Sequence, residues 1–491
     1  MRTRLTGGAV AVIASVACCT AAHAALKGQT QAIHSYPGLR VPVVTVTTDL
    51  PGTSAGAMFL TPRARVGERT GPMILDAHGR IVWFNRLPAI RTSLGLNAQT
   101  YRGKRVLTWS QRPPIKTDAD LYAGNPRSLY NVIADDRYHV IARVRAKGRG
   151  VRTDLHDMVI TKKGTALVVG FRFVHANLAR WHGPRHGQVI DCLVQEIDIG
   201  TGHVLFSWSA IRHVALGDSY TKPPASSAAG WDFFHVNAVS EDIDGNLLVT
   251  ARHTSAVYKV GRTTGRVLWQ LGGRHSSFEM GPGTQFWYEH DAQRQPDGTL
   301  TVFDNHAAEF DKTHGGPTRV LRLALNTKKK TATLVGAYSH PRGNVLATSQ
   351  GDARMVAGGN VFVGWGNSPW FSEQTPDGQL LFAAHLPSQT FQSYRVLKGD
   401  WHAHPDGQPV ALAIKSGDSL VVYAAWNGAT EIANWRVLAG TSAKSLQPVG
   451  SAPWNGLETR LRVQSTAPLV QVQALAAAGG LLGVSPVIRA R

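Results

Sequence analysis

The sequence predicts an all-β protein, a β-propeller of six blades, or five, followed by a β-sandwich. Three observations predict it. A lead residue, three times histidine, recurs at positions 95, 156, 235, 290 and 351, with intervals of 61, 79, 55 and 61. A turn glycine follows at a near-constant distance: Gly103, Gly164, Gly298 and Gly359 stand eight residues on, and Gly245 ten. No stretch beyond the N-terminal leader carries the 3.6-residue apolar period of an amphipathic helix. Repeats of this length suit four-stranded blades somewhat longer than the common ~40–50 residues. A stack of sandwiches would not explain one spacing recurring five times.

The first residues carry Arg2 and Arg4, an apolar run from Gly7 to Ala17, and Ala22-His23-Ala24 as a small-residue cleavage site. They read as a secretory signal peptide spanning residues 1–24, too short for a membrane span. A lipid anchor at Cys18 or Cys19 fits poorly, because Ser15 or Val16 would precede it. The expected location is therefore outside the cytoplasm, extracellular or periplasmic, with no stable membrane insertion. Removal of the leader leaves Cys192 as the one cysteine, so a large core rather than disulfides must stabilise the chain. Residues 25–55 carry VPVVTVTTDLPG, a strand and turn expected at an edge of the body.

Residues 56–398 hold the repeats. The run 235–306 is the clearest: a His-led strand, the Asp244-Gly245 turn, a second strand, and then a second His-led strand with Asp297-Gly298. Asp-Gly is a hairpin dipeptide because glycine tolerates the positive φ of a tight turn. Leu247, Val249 and Ala251 alternate with their neighbours as in a half-buried strand. GQVIDCLVQEIDIGTGHVLFSW, TRVLRLALNTKKKTATLVGAY and FSEQTPDGQLLFAA read as outer hairpins, and MILDAHGRIVWFNRL as part of a sixth blade. A break at Lys398–Pro409 reads as a linker. Residues 405–491 then give about seven short strands, as in a small immunoglobulin-like or fibronectin type III-like sandwich, with Trp426 and Trp435 in its core.

The net charge is +20, or +18 without Arg2 and Arg4. Lys and Arg are scattered except at Lys328-Lys329-Lys330, so the basic stripes that bind nucleic acid are absent. A small anion or a wall polyanion fits better. In a propeller, lead positions of different blades converge at one channel mouth. That places His156, His235 and His290 together, with Asn237, Asp291 and Arg252-His253 close by. Any one of these histidines suffices to bond a loop carbonyl; three at one position favour a cationic pocket. No close His or Cys pair gives metal-ligand spacing, so no metal is expected. Neither a G-x-S-x-G elbow nor a phosphate loop is present.

The stretches HDMVITKKGTALVVG, VQEIDIGTGHVLFSW, FFHVNAVSEDIDGNLLVTARHTSAVYKV, GRVLWQLGG, HDAQRQPDGTLTVFDN and SQGDARMVAGGNVFVGWG resemble the arylsulfotransferase family, in a divergent branch of secreted proteins. The resemblance covers about residues 40–398. It implies a six-bladed propeller that moves a sulfuryl group from a phenolic sulfate ester to another phenol, without PAPS or any other cofactor. It places the transiently sulfated histidine on His290, the H-x-N pair on His235 and Asn237, the arginine on Arg252 and the first-blade histidine on His156. Donors from Arg252 and Asn237 would then meet the sulfuryl oxygens, and His235 or His156 would move the phenolic proton. His306 departs from the family, which has Gly after Phe-Asp-Asn. The alternatives are a non-catalytic propeller that binds a sulfated or other anionic ligand at the cell surface, and a hydrolase with water as acceptor.

Overall fold

The computed structural model describes residues 29–64, 71–88, 91–113, 129–307, 316–387 and 391–491. The expected signal peptide lies outside them. The described chain is all-β, with short 3-10 turns and no α-helix, and its sheets are antiparallel except where the two-residue strands Gly230–Trp231 and Glu279–Met280 pair parallel at an edge. Six sheets follow one another. The first four are built from residues 92–112 with 130–144, 152–209, 236–272, and 290–304 with 319–339, each led by its innermost strand. The fifth takes Asp352–Met355 through Leu380–His385 and adds Thr45–Asp49 at its outer edge. In the sixth, Val396–Gly399 is innermost and pairs with Ala57–Leu60, followed by Met73–Leu75 and Ile81–Phe84. The N-terminal VPVVTVTTDLPG strand is thus an edge strand.

Apolar side chains seal each sheet to the next. Leu248, Val257 and Leu271 of the third sheet meet Leu300, Val302 and Leu321 of the fourth. Phe303 and Val320 meet Val361 and Val363, and Phe362 and Phe371 meet Met58 and Phe84. Phe59 and Trp83 of the sixth sheet then pack on Leu107 and Trp109 of the first. The remaining interfaces join Val106 to Met158 and Leu167 to Val239. The innermost strands also touch in order, the sixth against the first, which closes the ring.

This ring corrects the reading of the second strands. Leu247–Ala251 is buried throughout rather than on alternate residues. Leu247, Val249 and Ala251 face the second sheet, while Leu248 faces the fourth. Thr250 keeps its place by accepting the Ala292 N–H at 3.2 Å. A strand covered on both faces reads as a near-continuous apolar run. Truncating one such residue to Ala costs about 2–5 kcal/mol.

Residues 410–491 form two further sheets, 410–416/419–425/458–464 and 447–453/434–440/469–475 with two short edge strands. They enclose Leu420, Val422, Trp426, Trp435, Leu461 and Val472. The segment read as a linker is packed, not free. Lys398 lies in the sixth sheet and pairs with Glu373 at 2.7 Å. Trp401 and Ala403 are buried with Trp83 and Trp109.

Candidate active site

The lead positions owe their character to broken ladders. Register shifts fall between Leu94 and Asn97, Thr153 and Met158, Val236 and Ala238, and His290 and Gln293. A bulge frees side chains from the pleat and re-aims them, often at a rim. Backbone strain gathers at the same level: His235, Asp291 and Gln350 take φ of 53, 53 and 67° without being glycine. Such residues persist only where their surroundings hold them, and they concentrate at functional sites.

Four imidazoles are anchored alike, through Nδ1. His156 binds Asp154 Oδ1 at 2.5 Å, and His235 binds Asp232 Oδ2 at 2.5 Å. His253 Nδ1–H donates to the Asp232 carbonyl at 2.6 Å, so its Nε2 accepts from Arg252 Nη1 at 3.0 Å. His290 Nδ1–H donates to Asn305 Oδ1 at 2.7 Å. The Asn305 amide is oriented because its Nδ2 donates to the carbonyls of Ala347 and Gln350 at 2.8 and 3.0 Å. His290 Nε2 therefore keeps its lone pair, which accepts the Gln350 main-chain N–H at 3.1 Å.

The rings of His156 and His235 meet edge to face at 4.9 Å, and those of His235 and His253 lie 4.6 Å apart. Tyr394 bridges the group to the nucleophile candidate, 5.7 Å from His156 and 6.4 Å from His290. Arg252 is buried, sits over the Tyr288 ring at 5.3 Å and donates to the Thr348 carbonyl at 3.0 Å. His156, His235, Arg252 and His290 thus stand around one centre. Asn237 serves it differently from the expected donor: its Nδ2 donates to the Glu289 carbonyl at 2.7 Å, just before His290.

A buried ionic layer supports these groups. Arg395 reaches Asp157 at 3.0 Å, Asp291 at 3.4 Å and the Asn237 carbonyl at 3.1 Å. Burial pushes the Asp291 pKa up, but Arg354 and Arg395 outweigh it and hold the group ionised. Asp352, buried beside Asp291, is pushed up to about 8 by desolvation. For Asp154 burial also acts upward, and the adjoining His156 brings the net shift below the usual carboxylate value. Burial, then Arg252, drives His290 well below the ordinary imidazole pKa, and burial takes His253 to about 3. Both rings are neutral at pH 7.

Among the described residues, Asp232, His235 and His253 could hold a metal ion, their donor atoms lying within 4.8 Å of one another. Sequence reasoning missed Asp154, Asp232, Tyr394, Arg395 and the Gln350 amide. The two aspartates carried a signal, standing two and three residues before a lead histidine. Tyr394 and Arg395 precede the sixth inner strand as His235 precedes the third.

The fold and site define an all-β ring protein with buried imidazoles, Arg252 and paired carboxylates gathered at its centre. A family model described as Arylsulfotransferase (ASST) matches residues 131–386, more than half of the 491-residue chain. The chain belongs to the arylsulfotransferase family. No curated protein matches it. Among solved structures, a protein of unknown function from Bacteroides caccae is 12% identical, covering 70% of this chain and 99% of its own, with a TM-score of 0.42. A virginiamycin B lyase from Staphylococcus aureus with quinupristin is 9% identical, covering 88% and 96%, with a TM-score of 0.30. Likenesses this distant carry no argument about function.

Proposed function

We propose that this protein is an aryl sulfotransferase that moves a sulfuryl group from a phenolic sulfate ester to a phenol, with His290 as the covalent carrier. The observation that supports this most is the state of His290: a buried neutral ring, Nδ1–H fixed by Asn305, with its lone pair on Nε2. A neutral imidazole is a competent nucleophile and splits one hard transfer into two easier ones. Nε2 forms a bond to sulfur as the S–O bond to the aryl group breaks. The electron pair leaves with the phenolate, which takes a proton from the ring of His156 or His235. In the second half the acceptor phenol returns that proton, its oxygen attacks sulfur, and the N–S pair goes back to Nε2. Arg252 supplies charge to the sulfuryl oxygens, as cations do in phosphoryl transfer. Asn237 holds the strand that carries His290.

The same reading takes residues 56–398 as a six-bladed propeller and 405–491 as an immunoglobulin-like or fibronectin III-like sandwich. The closed cycle of sheet contacts supports the first. Export through residues 1–24 completes it; among the described residues no helix is long and apolar enough to cross a membrane.

One observation favours a second reading, a protein that binds anions without turnover: the His290 lone pair is occupied by Gln350. Incubation with nitrophenyl sulfate decides between them. The expected result is phenol release that rises with a second phenol, and a sulfuryl adduct on the His290 peptide by mass spectrometry. His290→Ala should lose both while folded, and Arg252→Ala should slow transfer about 10²–10³-fold. An adduct elsewhere would move the nucleophile. Sulfate-ester binding without turnover, surviving His290→Ala, would establish the binding protein.

A further inference from the structure

The segment 345–351 is tied to His290 more closely than a connecting loop requires. Asn305 holds its carbonyls at Ala347 and Gln350 while accepting from His290 with the same amide. Thr318 Oγ1 accepts the Ala347 N–H at 2.6 Å, so the segment is fixed from a second side. Gln350 then sits in the left-handed region at φ 67°, and Gly351 follows at φ 106°. That conformation costs an L-residue roughly 1–2 kcal/mol, and what it achieves is to turn the Gln350 N–H onto His290 Nε2 at 3.1 Å. Gly351 is required there, because a Cβ would stand 2.3 Å from the Phe303 ring.

We infer that the Gln350 main-chain amide is a positioning group of the transfer reaction, holding the His290 lone pair at rest and passing to a sulfuryl oxygen once the N–S bond forms. The inference rests on His290 being the sulfuryl carrier. The hydrogen bond to Nε2 must break as that lone pair becomes the N–S bond, and the donor is left beside the oxygens that sulfur brings with it. An N–H partly shielded from water is unfavourable without an acceptor, so the amide favours the state in which a sulfuryl oxygen accepts from it. No proton is transferred in this exchange; one acceptor replaces another. The same bond sets the ring's direction, since Asn305 fixes Nδ1 and Gln350 fixes Nε2. Attack geometry is then preset, and spontaneous protonation of Nε2 is resisted until substrate displaces the amide.

The test uses the full chain labelled with ¹⁵N-histidine. Gly351→Ala pushes the segment away from Phe303 and takes the amide with it, whereas Gln350→Gly keeps the N–H and suits the positive φ. In Gly351→Ala the ¹⁵N signal of His290 Nε2 should move to that of an unbonded ring nitrogen. The acidic limb of the adduct-formation rate should shift to higher pH, because the protonated ring is no longer opposed. Adduct formation should fall about a hundred-fold, the lower end of the range for loss of one preorganised donor. Gln350→Gly should retain the wild-type ¹⁵N signal and form adduct at least about five-fold faster than Gly351→Ala, since it keeps the N–H that the other variant displaces. A Gly351→Ala protein that loses thermal stability yet keeps the ¹⁵N signal and pH limb would overturn the inference, as would wild-type adduct formation after the bond is lost. Failure of the underlying reading looks different: the wild-type chain would then form no His290 adduct at all.

Discussion

At the scale of single residues, the site is a set of side chains held by polar neighbours and by strained backbone. His306 shows how a departure from the family is accommodated. It takes φ 51°, the region glycine enters freely, and its N–H is bound to the Trp287 carbonyl at 3.1 Å and to Asp304 at 3.0 Å. His306→Gly is expected to leave stability within about 1 kcal/mol, relief of the left-handed strain offsetting glycine's greater unfolded freedom. Denaturant unfolding checks this, and a loss above about 3 kcal/mol would mean that the ring itself holds the mouth together. The histidines were legible in the sequence because a bulged lead position repeats. Asp154 and Asp232 were legible in principle, as acids just upstream. Gln350 was not, since it acts through an N–H that almost any residue supplies.

At the scale of elements, hairpin tips are tied across sheet boundaries. Asp242, in the inner turn of the third sheet, pairs with Lys259 of its own sheet at 2.8 Å and with Arg294 of the fourth at 2.9 Å. Burial acts to raise its pKa, but Arg294 and Lys259 outweigh this and bring it from 3.8 to about 2. A depressed carboxylate gives stability that is complete above its unfolded pKa and is lost as pH falls through the folded one. Asp242→Asn should therefore be less stable at pH 7 and show a flatter loss between about pH 4 and pH 2. Urea midpoints measured across that range decide it; parallel slopes for the two proteins would refute the assignment. Strand positions and turns were readable from Asp-Gly dipeptides and apolar runs. Burial on both faces was not, because one strand's pattern does not reveal that a sheet lies on each side of it.

At the scale of the whole molecule, the composition break at Lys398–Pro409 suggested separable units, and the contacts argue otherwise. Tyr138 donates to the Gly428 carbonyl at 2.8 Å, Asn427 accepts the Phe84 N–H at 3.0 Å, and Glu458 accepts from Ser35 at 2.6 and 2.7 Å. A chain ending at Gly399 also loses Trp401, worth about 3 kcal/mol or more of burial. It should melt at least about 5 °C lower than the full protein by calorimetry, given roughly 2–4 °C per kcal/mol for larger domains. An unchanged melting temperature would make the C-terminal sheets an independent unit. The sixth sheet has a further consequence during synthesis. Its apolar strand Ala57–Leu60 waits for Val396–Gly399, and Thr61 for Ser393, 332 residues later. At about 5–20 residues per second a ribosome needs roughly 20–60 s to close that gap. Through that interval Met58, Phe59 and Leu60 form an unpaired hydrophobic edge, the kind of surface that recruits other nascent chains. The ring thus leaves the ribosome as an open ribbon, and this strand edge stays uncovered for most of synthesis.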